Sequence, residues 1–336
     1  MNSIERIRAA TGFERPDRVP VIAQVFGHAA VLSGVSLRDY LRDGDLLARC
    51  QIKALQRYGY DTVFALMDTS VETEAVGSIL TYPPDQYPHV KSYALSDAGN
   101  LEGLSLPDPQ RSGRMPELLK AVRRLRQEVG DEVLVVGCVS GPMTVAVQLL
   151  GMETALYLAI DHPERFARLL DFSAQVAIRF ATAQIEAGAH LPLVFDPCAS
   201  PAVIPPQFFR EFELPRLRTL FTALKAAGAA ASWLHIAGPV VPILPLYPQC
   251  GVDIANFDYC VSALDARKAL PHTCLDGNIK PLAFVEATPE MIAEASSRLL
   301  TEFASRGGFI LSSGCEIPPE AKPENVAAMV AAAGGR

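Results

Sequence analysis

The sequence predicts an α/β protein, a (β/α)8 TIM barrel in a single domain covering residues 1–336, with a rim insertion after the second strand. Short apolar runs alternate with longer segments of helical spacing, which is typical of a barrel or a doubly wound sheet. Most apolar runs are continuous, as in strands buried on both faces. There are eight such runs, and no change of composition resembles a linker, so a barrel is favoured.

Each predicted strand is a short run that ends near a polar or small residue. Such runs have the length of barrel strands and are separated by segments long enough to hold a helix. The predicted strands are Val19–Val25, Asp61–Met67, Glu132–Cys138, Pro192–Phe195, Ser232–Ile236, Ile254–Phe257, Thr273–Asp276 and Gly308–Leu311.

Helices are predicted between these strands from apolar spacing and terminal signals. We expect Asp45 to cap the helix Leu46–Tyr58 and Thr288 to cap the helix Pro289–Ser305. We expect Gly188 to follow the end of the helix His162–Ala187. Residues Tyr82–Ser112 are rich in Pro, Asp and Ser, and we interpret them as an irregular lid or rim insertion. The predicted helices are Leu46–Tyr58, Pro116–Val129, His162–Ala187, Pro206–Ala227, Pro289–Ser305 and Pro323–Ala333.

Composition excludes several classes of protein. The net charge is −7, with 30 basic and 37 acidic residues, and no dense basic run would match a phosphate backbone, so no nucleic-acid partner is expected. Seven cysteines, an odd number with no CxxC pair, indicate reduced thiols in the cytoplasm. No run approaches the ~20 apolar residues of a membrane span, so no membrane partner is expected.

Candidate functional residues follow from the rule that the carboxyl ends of barrel strands face the active site. His235 and Cys315 are the ligand types that zinc prefers; His235 lies at the end of the fifth predicted strand and Cys315 follows the eighth. A lone His at a strand end is also a common structural residue, and a lone Cys is often a small buried hydrophobe. The other polar residues at this rim are Gln24, His28, Asp68, Cys138, Asp196, Cys198, Asp258 and Asn278.

Several motifs carry a family resemblance. They include Phe195-Asp-Pro-Cys-Ala-Ser-Pro201, Leu234-His-Ile-Ala-Gly238 and Gly314-Cys-Glu-Ile-Pro318, with Asp276-Gly-Asn-Ile-Lys-Pro281 between the last two. In order along nearly the whole chain, these segments resemble the uroporphyrinogen decarboxylase superfamily. Within it, the chain is most similar to the corrinoid:coenzyme M methyltransferase branch.

The resemblance implies a zinc ion held by one His and two Cys, which binds a substrate thiol and makes its thiolate available to attack a corrinoid-bound methyl group. His235 and Cys315 match two of these ligands, but Ala237 stands where the family has the second Cys. Three interpretations remain open. Another residue supplies the donor, with Cys198 as the candidate sulfur or a carboxylate as the oxygen; two ligands bind the metal weakly; or there is no metal and the activity differs. The candidate oxygen donors are Asp196, Glu72, Glu74 and Glu316.

The preferred hypothesis is a methyltransferase that moves a methyl group between a corrinoid and a small acceptor, a thiol or a reduced folate. The corrinoid would come on a partner protein or as free cofactor. His235, Cys315 and Cys198 would hold zinc, and Asp196 would orient a ligand or the acceptor. The expected substrate-binding residues are Gln24, His28, Asp68 and Asn278.

Two alternatives come from other functional classes. One is a metal-free decarboxylase acting on a porphyrinogen or a related carboxylated substrate, with Asp68 and Asp196 as polar anchors and Asp68 as a possible counterpart of the family's Asp. However, the segment from Gln24 to Ala30 contains none of the Arg residues that would bind substrate carboxylates. The other alternative is a barrel that has lost catalysis and serves as a binding subunit.

Overall fold

The computed structural model describes residues 1–95 and 101–334, except for the side chain of Glu102. Its strands are β1 (Val21–Ile22), β2 (Thr62–Ala65), β3 (Ile79–Thr81), β4 (His89–Ser92), β5 (Leu134–Ser140), β6 (Leu191–Phe195), β7 (Trp233–His235), β8 (Ile254–Asn256), β9 (Cys274–Ile279) and β10 (Phe309–Ser313). Eight of these strands form one parallel sheet in the order β1-β10-β9-β8-β7-β6-β5-β2, which curls into a nearly closed barrel. The predicted fold class is confirmed, and all eight predicted strands are present.

Helices surround the barrel. They are α1 (Ser3–Thr11), α2 (Gly27–Ser33), α3 (Leu37–Tyr40), α4 (Gly44–Tyr58), α5 (Val71–Val76), α6 (Met115–Val129), α7 (Pro142–Leu150), α8 (Met152–Asp161), α9 (Pro163–Glu186), α10 (Pro206–Phe208), α11 (Leu214–Ala226), α12 (Tyr247–Cys250), α13 (Ala263–Ala269), α14 (Ala283–Glu286), α15 (Pro289–Phe303) and α16 (Pro323–Ala332). Among the described residues no single helix has the length and apolarity of a membrane span; α7 and α8 reach them only as a pair, bent by 106°.

The interior of the barrel is a separate apolar cluster. Alternate residues of each strand point inward, because successive side chains of a strand lie on opposite faces. Phe64, Leu193 and Trp233 belong to this cluster and are fully buried. Helix α1 covers the amino-terminal end of the barrel, where Ile7 and Ala10 join the same cluster. Helix α1 therefore covers this end of the interior, and the candidate entrance is the opposite, carboxyl-terminal end.

Side chains join β1 to β2, where the two strands share no regular ladder. Asp61 just before β2 accepts a hydrogen bond from the Val21 amide at 2.8 Å, and its own amide donates to the Val21 carbonyl at 2.8 Å. Nearer the carboxyl-terminal ends of the two strands, the Gln51 side chain donates to the Val25 carbonyl at 2.8 Å and accepts from the Phe64 amide at 3.2 Å. These contacts satisfy backbone groups that a fully paired barrel would satisfy by itself.

The structure corrects several local predictions. Asp43, not Asp45, caps α4, since its carboxylate accepts from the amides of residues 45 and 46. The predicted helix Pro206–Ala227 is interrupted by a π-helical turn at Phe209–Glu213. Strands β5 and β9 run further than predicted, so Cys138 and Asn278 lie within strands.

The predicted rim insertion is partly regular. Strands β3 and β4 form an antiparallel hairpin that follows α5, on the carboxyl-terminal side of β2. Residues 96–100 of the insertion lie outside the described residues. The prediction of an insertion after the second strand is confirmed for the described part, whereas the expectation of irregular structure throughout is wrong.

Asp61 offers a test of barrel closure. Its carboxylate accepts from Ser3 at 2.9 Å and from Arg18 at 2.7 and 2.9 Å, in addition to Val21. We expect Asp61→Ala to lower the free energy of unfolding by about 3–5 kcal/mol, because it leaves buried donors without an acceptor. Urea unfolding measures the change.

The control is Asp171→Ala, which removes an ion pair with Arg216 from a carboxylate whose side chain is 63% exposed. Its cost should stay below about 1 kcal/mol. Equal effects of the two substitutions would contradict the role given to Asp61.

Candidate active site

A pocket of about 280 Å³ opens at the carboxyl-terminal end of the barrel. Its walls come from the ends of β1, β2, β6 and β7, from the segment after β10 and from the β3–β4 hairpin loop. The lining residues are Phe26, Leu66, Met67, Asp68, Thr69, Tyr87, Pro88, Phe195, Pro197, His235, Ala237, Cys315 and Glu316. A larger surface cavity of about 490 Å³ lies at the opposite end, beside α1 and α15. We place the candidate site at the carboxyl-terminal end, where barrel enzymes carry their active sites.

His235 is the last residue of β7 and is only 2% exposed. Neither of its ring nitrogens has a hydrogen-bond partner among the described residues, although both are buried. Burial lowers the pKa of His235 to about 3, so the ring is neutral at neutral pH and its lone pair is free. An unpartnered buried imidazole is costly. Other unpartnered atoms, such as Trp233 Nε1, belong to side chains that do not line the pocket, so His235 points to an external ligand.

Cys315 lines the same pocket from the segment after β10 and is half-buried. Burial raises the pKa of its thiol to about 11, so the free side chain is protonated at neutral pH. Ala237 also lines the pocket and brings no donor atom. The barrel therefore brings the predicted imidazole and thiol to one pocket, together with the residue that replaces the third family ligand.

The donors present match a zinc site in part. Catalytic zinc sites have three protein ligands, and His235 and Cys315 supply a nitrogen and a sulfur. In residues 1–95 and 101–334, no group of three or more His, Cys, Asp or Glu side chains could hold a metal. Cys198 does not line the pocket; its amide donates to Thr144 Oγ1 at 3.2 Å and its side chain packs against the outer apolar core. The described donor set thus lacks one ligand.

Asp196 is fully buried behind the pocket and does not line it. Its carboxylate accepts from the amide and hydroxyl of Thr144 at 2.8 and 2.6 Å, at the start of α7. A carboxylate stabilises a helix amino terminus there. This position of the Asp196 carboxylate requires a glycine at residue 141, since a Cβ there would lie 2.3 Å from Asp196 Oδ2. Burial raises the pKa of Asp196 and of the nearby Glu213 carboxyl.

Two further predicted residues, Gln24 and His28, form hydrogen bonds within the protein, although Gln24 Oε1 has no partner among the described residues. Gln24 donates to the Ser313 carbonyl at 3.2 Å. The ring of His28 contacts the Pro319 carbonyl at 3.0 Å and the Tyr58 hydroxyl at 2.8 Å. Neither side chain lines the pocket. The structure places both in the packing between β1, α2 and the carboxyl-terminal segment.

Asn278 is similarly occupied. Its side-chain amide donates to the carbonyls of Asp258 and Val261 at 3.1 and 2.8 Å, which fixes the loop after β8. Asp258 in turn accepts from the Gly238 amide at 2.6 Å. These bonds hold the ends of β7, β8 and β9 together beside the pocket, and Asn278 does not line it.

Asp68 does line the pocket and forms a buried ion pair with Arg114 from the start of α6. The two guanidinium nitrogens lie 2.5 and 3.2 Å from its carboxylate oxygens. Arg114 also donates to Glu74 at 2.6 Å, and Glu74 accepts from the Tyr82 hydroxyl at 2.7 Å. The β3–β4 hairpin is anchored beside the pocket by this chain of contacts.

Sequence reasoning missed Tyr87 and Arg114. Tyr87 comes from the hairpin loop, and its hydroxyl donates to the Glu316 carboxylate. The Gly27 amide donates to Glu316 Oε1 at 3.2 Å, and burial raises the pKa of Glu316 to about 7. Glu316 was considered only as an alternative oxygen donor. An aromatic residue in a predicted rim insertion was the available signal for Tyr87; nothing in the local pattern pairs Arg114 with Asp68.

Comparison with known proteins identifies the family. The family model for uroporphyrinogen decarboxylase matches residues 2–335, so the chain belongs to the uroporphyrinogen decarboxylase family. It is 29% identical to the methylcobamide:CoM methyltransferase MtaA of Methanosarcina barkeri, over 97% of this chain and 96% of that protein. It is 28% identical to a uroporphyrinogen decarboxylase of Syntrophotalea carbinolica, over 88% and 85%. A solved methyltransferase structure from Methanosarcina mazei superposes with a TM-score of 0.90 at 27% identity, covering 99% and 98% of the two chains.

The placement of Asp196 predicts a structural effect. We expect Asp196→Ala to lower the free energy of unfolding by about 1–3 kcal/mol, because the amide and hydroxyl of Thr144 lose their acceptor. Chemical denaturation measures this loss. The control Glu211→Ala removes an exposed carboxylate from the same π-helical turn as Glu213, and its effect should stay within about 0.5 kcal/mol. Unchanged stability of Asp196→Ala would contradict this placement.

Proposed function

We propose that this protein is a methyltransferase that moves a methyl group from a corrinoid to a small acceptor. The observation that carries the proposal is the unpartnered, neutral imidazole of His235, which lines one pocket together with Cys315. Similarity to methyltransferases along nearly the whole chain supports the same activity. The pocket volume of about 280 Å³ suits a small acceptor, because drug-sized ligands occupy about 300–1,000 Å³.

We propose further that His235 and Cys315 would hold a zinc ion that binds the substrate sulfur. When bound, zinc would lower the pKa of a substrate thiol and make its thiolate available at neutral pH. The chain itself keeps His235 neutral through burial, which is the form that binds a metal. Phe26, Leu66 and Phe195 form apolar walls that exclude bulk water from the sulfur.

The corrinoid would be supplied by a partner protein or as free cofactor. Transfer forms a carbon–sulfur bond, leaves the electron pair of the broken methyl–cobalt bond on cobalt, and releases the thiol proton to solvent. A reduced folate is the alternative acceptor, in which case the new bond is made to nitrogen. The pocket at the open end of the barrel gives a partner access, since α1 closes the other end.

Porphyrinogen decarboxylation is the second candidate function, favoured by the family and by the relative from Syntrophotalea carbinolica. Two features of the site weigh against it. The pocket is small for a four-pyrrole substrate, and none of its lining residues, within the described part of the chain, is Lys or Arg. Several substrate carboxylates would therefore lose hydration without gaining a cation.

A methyl-transfer assay tests the function. The purified protein is incubated with methylcobalamin and a series of small thiols, and loss of the methyl–cobalt absorbance is followed together with thioether formation by mass spectrometry. We expect turnover that falls at least about a hundredfold in His235→Ala and Cys315→Ala. The control Cys260→Ala removes an exposed thiol and should retain full activity. Decarboxylation of a porphyrinogen without methyl transfer would support the second candidate, and tight partner binding without turnover would indicate a lapsed enzyme.

Metal analysis tests the zinc proposal separately. We expect about one zinc per chain, lost in His235→Ala and Cys315→Ala and retained in Cys198→Ala, because Cys198 lies outside the pocket. Ala237→Cys should tighten zinc binding at least about tenfold, since it adds a thiolate to the pocket that the other two donors line. Competition with a chromogenic chelator measures the affinities. Loss of zinc in Cys198→Ala, or no gain in Ala237→Cys, would refute this donor arrangement.

A further inference from the structure

We propose that Thr69 is a specificity-determining residue of the pocket, whose hydroxyl donates a hydrogen bond to an oxygen atom of the acceptor. The acceptor is then a small thiol whose other end carries oxygen, in a hydroxyl or an acid group, rather than a plain alkanethiol. The role of the thiol rests on the proposed function, whereas the selectivity for oxygen has its physical basis in the hydrogen bonding of Thr69.

Thr69 is held in the pocket wall by bonds in which it is the acceptor. It lies between β2 and α5, lines the pocket and is partly exposed. Its carbonyl accepts from Ser140 Oγ at 2.7 Å, which ties it to the end of β5. Its hydroxyl oxygen accepts from Gln148 Nε2 at 3.4 Å, and Gln148 Oε1 in turn accepts from Thr73 Oγ1 at 3.0 Å. The side chain is thus oriented without the use of its own proton.

The hydroxyl proton of Thr69 is available to a ligand. A threonine hydroxyl has one donor and two acceptor sites. Gln148 occupies one acceptor site, and in residues 1–95 and 101–334 no hydrogen bond has the Thr69 hydroxyl as its donor. Because the group lines a pocket, its proton can be directed to an oxygen atom of a molecule that enters.

Other polar side chains of the pocket wall are bonded to the protein itself. The carboxylate of Asp68 accepts from Arg114 at 2.5 and 3.2 Å, and the hydroxyl of Tyr87 donates to Glu316. Most of the remaining wall is apolar, so water competes less for a hydrogen bond there than at the surface. This leaves the Thr69 hydroxyl, within the described part of the chain, as a donor that no protein atom engages.

The proposed sulfur-binding pair borders the same space as Thr69. His235 and Cys315 line this pocket of about 280 Å³ together with it. His235 is only 2% exposed and both of its ring nitrogens lack a partner among the described residues, which independently indicates a bound ligand. Contacts at both ends of a short molecule, sulfur at the pair and oxygen at Thr69, would fix its orientation for transfer.

Three small thiols test the inference. They are 2-mercaptoethanol, 2-mercaptoethanesulfonate and 1-propanethiol, in which a methyl group replaces the hydroxyl of 2-mercaptoethanol. The kcat/KM of each with methylcobalamin is measured in the unmodified protein and in Thr69→Val, and each oxygen-bearing thiol is expressed as a ratio to 1-propanethiol within one preparation. A loss of folded or metal-loaded protein therefore cancels.

We expect Thr69→Val to lower at least one of the two ratios by at least about threefold, the effect of losing one neutral hydrogen bond. The ratio that falls identifies the head group as a hydroxyl or a sulfonate. If both ratios are unchanged, the inference is overturned.

Three further variants separate the hydrogen bond from the shape of the side chain. Thr69→Ser keeps the hydroxyl and should keep the ratios, whereas Gln148→Leu removes the bond that orients it and should lower them by less than Thr69→Val does. Thr154→Val is the matched control, the same substitution at an exposed threonine of α8, and it should keep both the ratios and the turnover. Equal losses in Thr69→Ser and Thr69→Val would indicate a steric effect and contradict the inference.

Calorimetric titration of the same thiols without methylcobalamin separates this inference from the proposed function. Tighter binding of an oxygen-bearing thiol that is lost in Thr69→Val would support the inference even if no methyl group is transferred. Methyl transfer with the same ratios in the unmodified protein and in Thr69→Val would support the function and refute the inference. Failure of all three thiols to bind would refute both.

Discussion

Closure of the barrel between β1 and β2 is the constraint on which the candidate site depends. A parallel barrel gathers the ends of its strands around one opening only if the first and second strands meet. Here side chains help to make that junction. Asp61 binds the β1 backbone at the bottom, and Gln51 spans the gap above it. Because β10 pairs with β1 and carries Cys315 just beyond its end, any loosening of this junction would move the thiol relative to His235 on β7.

The open end of the barrel combines apolar walls with a small number of polar groups. Desolvation by those walls keeps His235 neutral and keeps the free Cys315 protonated. Both effects leave this pair of side chains without charge, so a ligand that enters meets a lone pair and a thiol. The hairpin of β3 and β4 adds to this environment, since Tyr87 covers one side of the pocket and is bonded to Glu316.

The sequence predicted the barrel well because buried parallel strands appear as continuous apolar runs, and these runs alternated with helical spacing along the chain. It also predicted that His235 and Cys315 lie at the same end of the barrel, since His235 ends one strand and Cys315 follows another. It could not predict which rim residues turn toward the pocket. Asp196 and Cys198 lie at the carboxyl-terminal end of a strand as His235 does, yet the segment after β6 directs the Asp196 carboxylate to the amino terminus of α7. That choice depends on Gly141, whose missing side chain leaves room for the carboxylate, and no local pattern reveals a contact between such distant segments.

The presence or absence of hydrogen-bond partners distinguishes structural rim residues from candidate functional ones better than residue type does. His28, Asn278 and Asp196 are all polar residues near the carboxyl-terminal rim of the barrel, and the side chain of each is hydrogen-bonded to the protein. A satisfied group of this kind contributes to folding and gains little by binding a ligand. His235 is different, because a neutral ring with two unpartnered nitrogens reduces stability until something binds it. A protein retains such a cost where the same group provides binding energy for a ligand, and for this reason we place the centre of the candidate site at the imidazole rather than at the more numerous carboxylates around it.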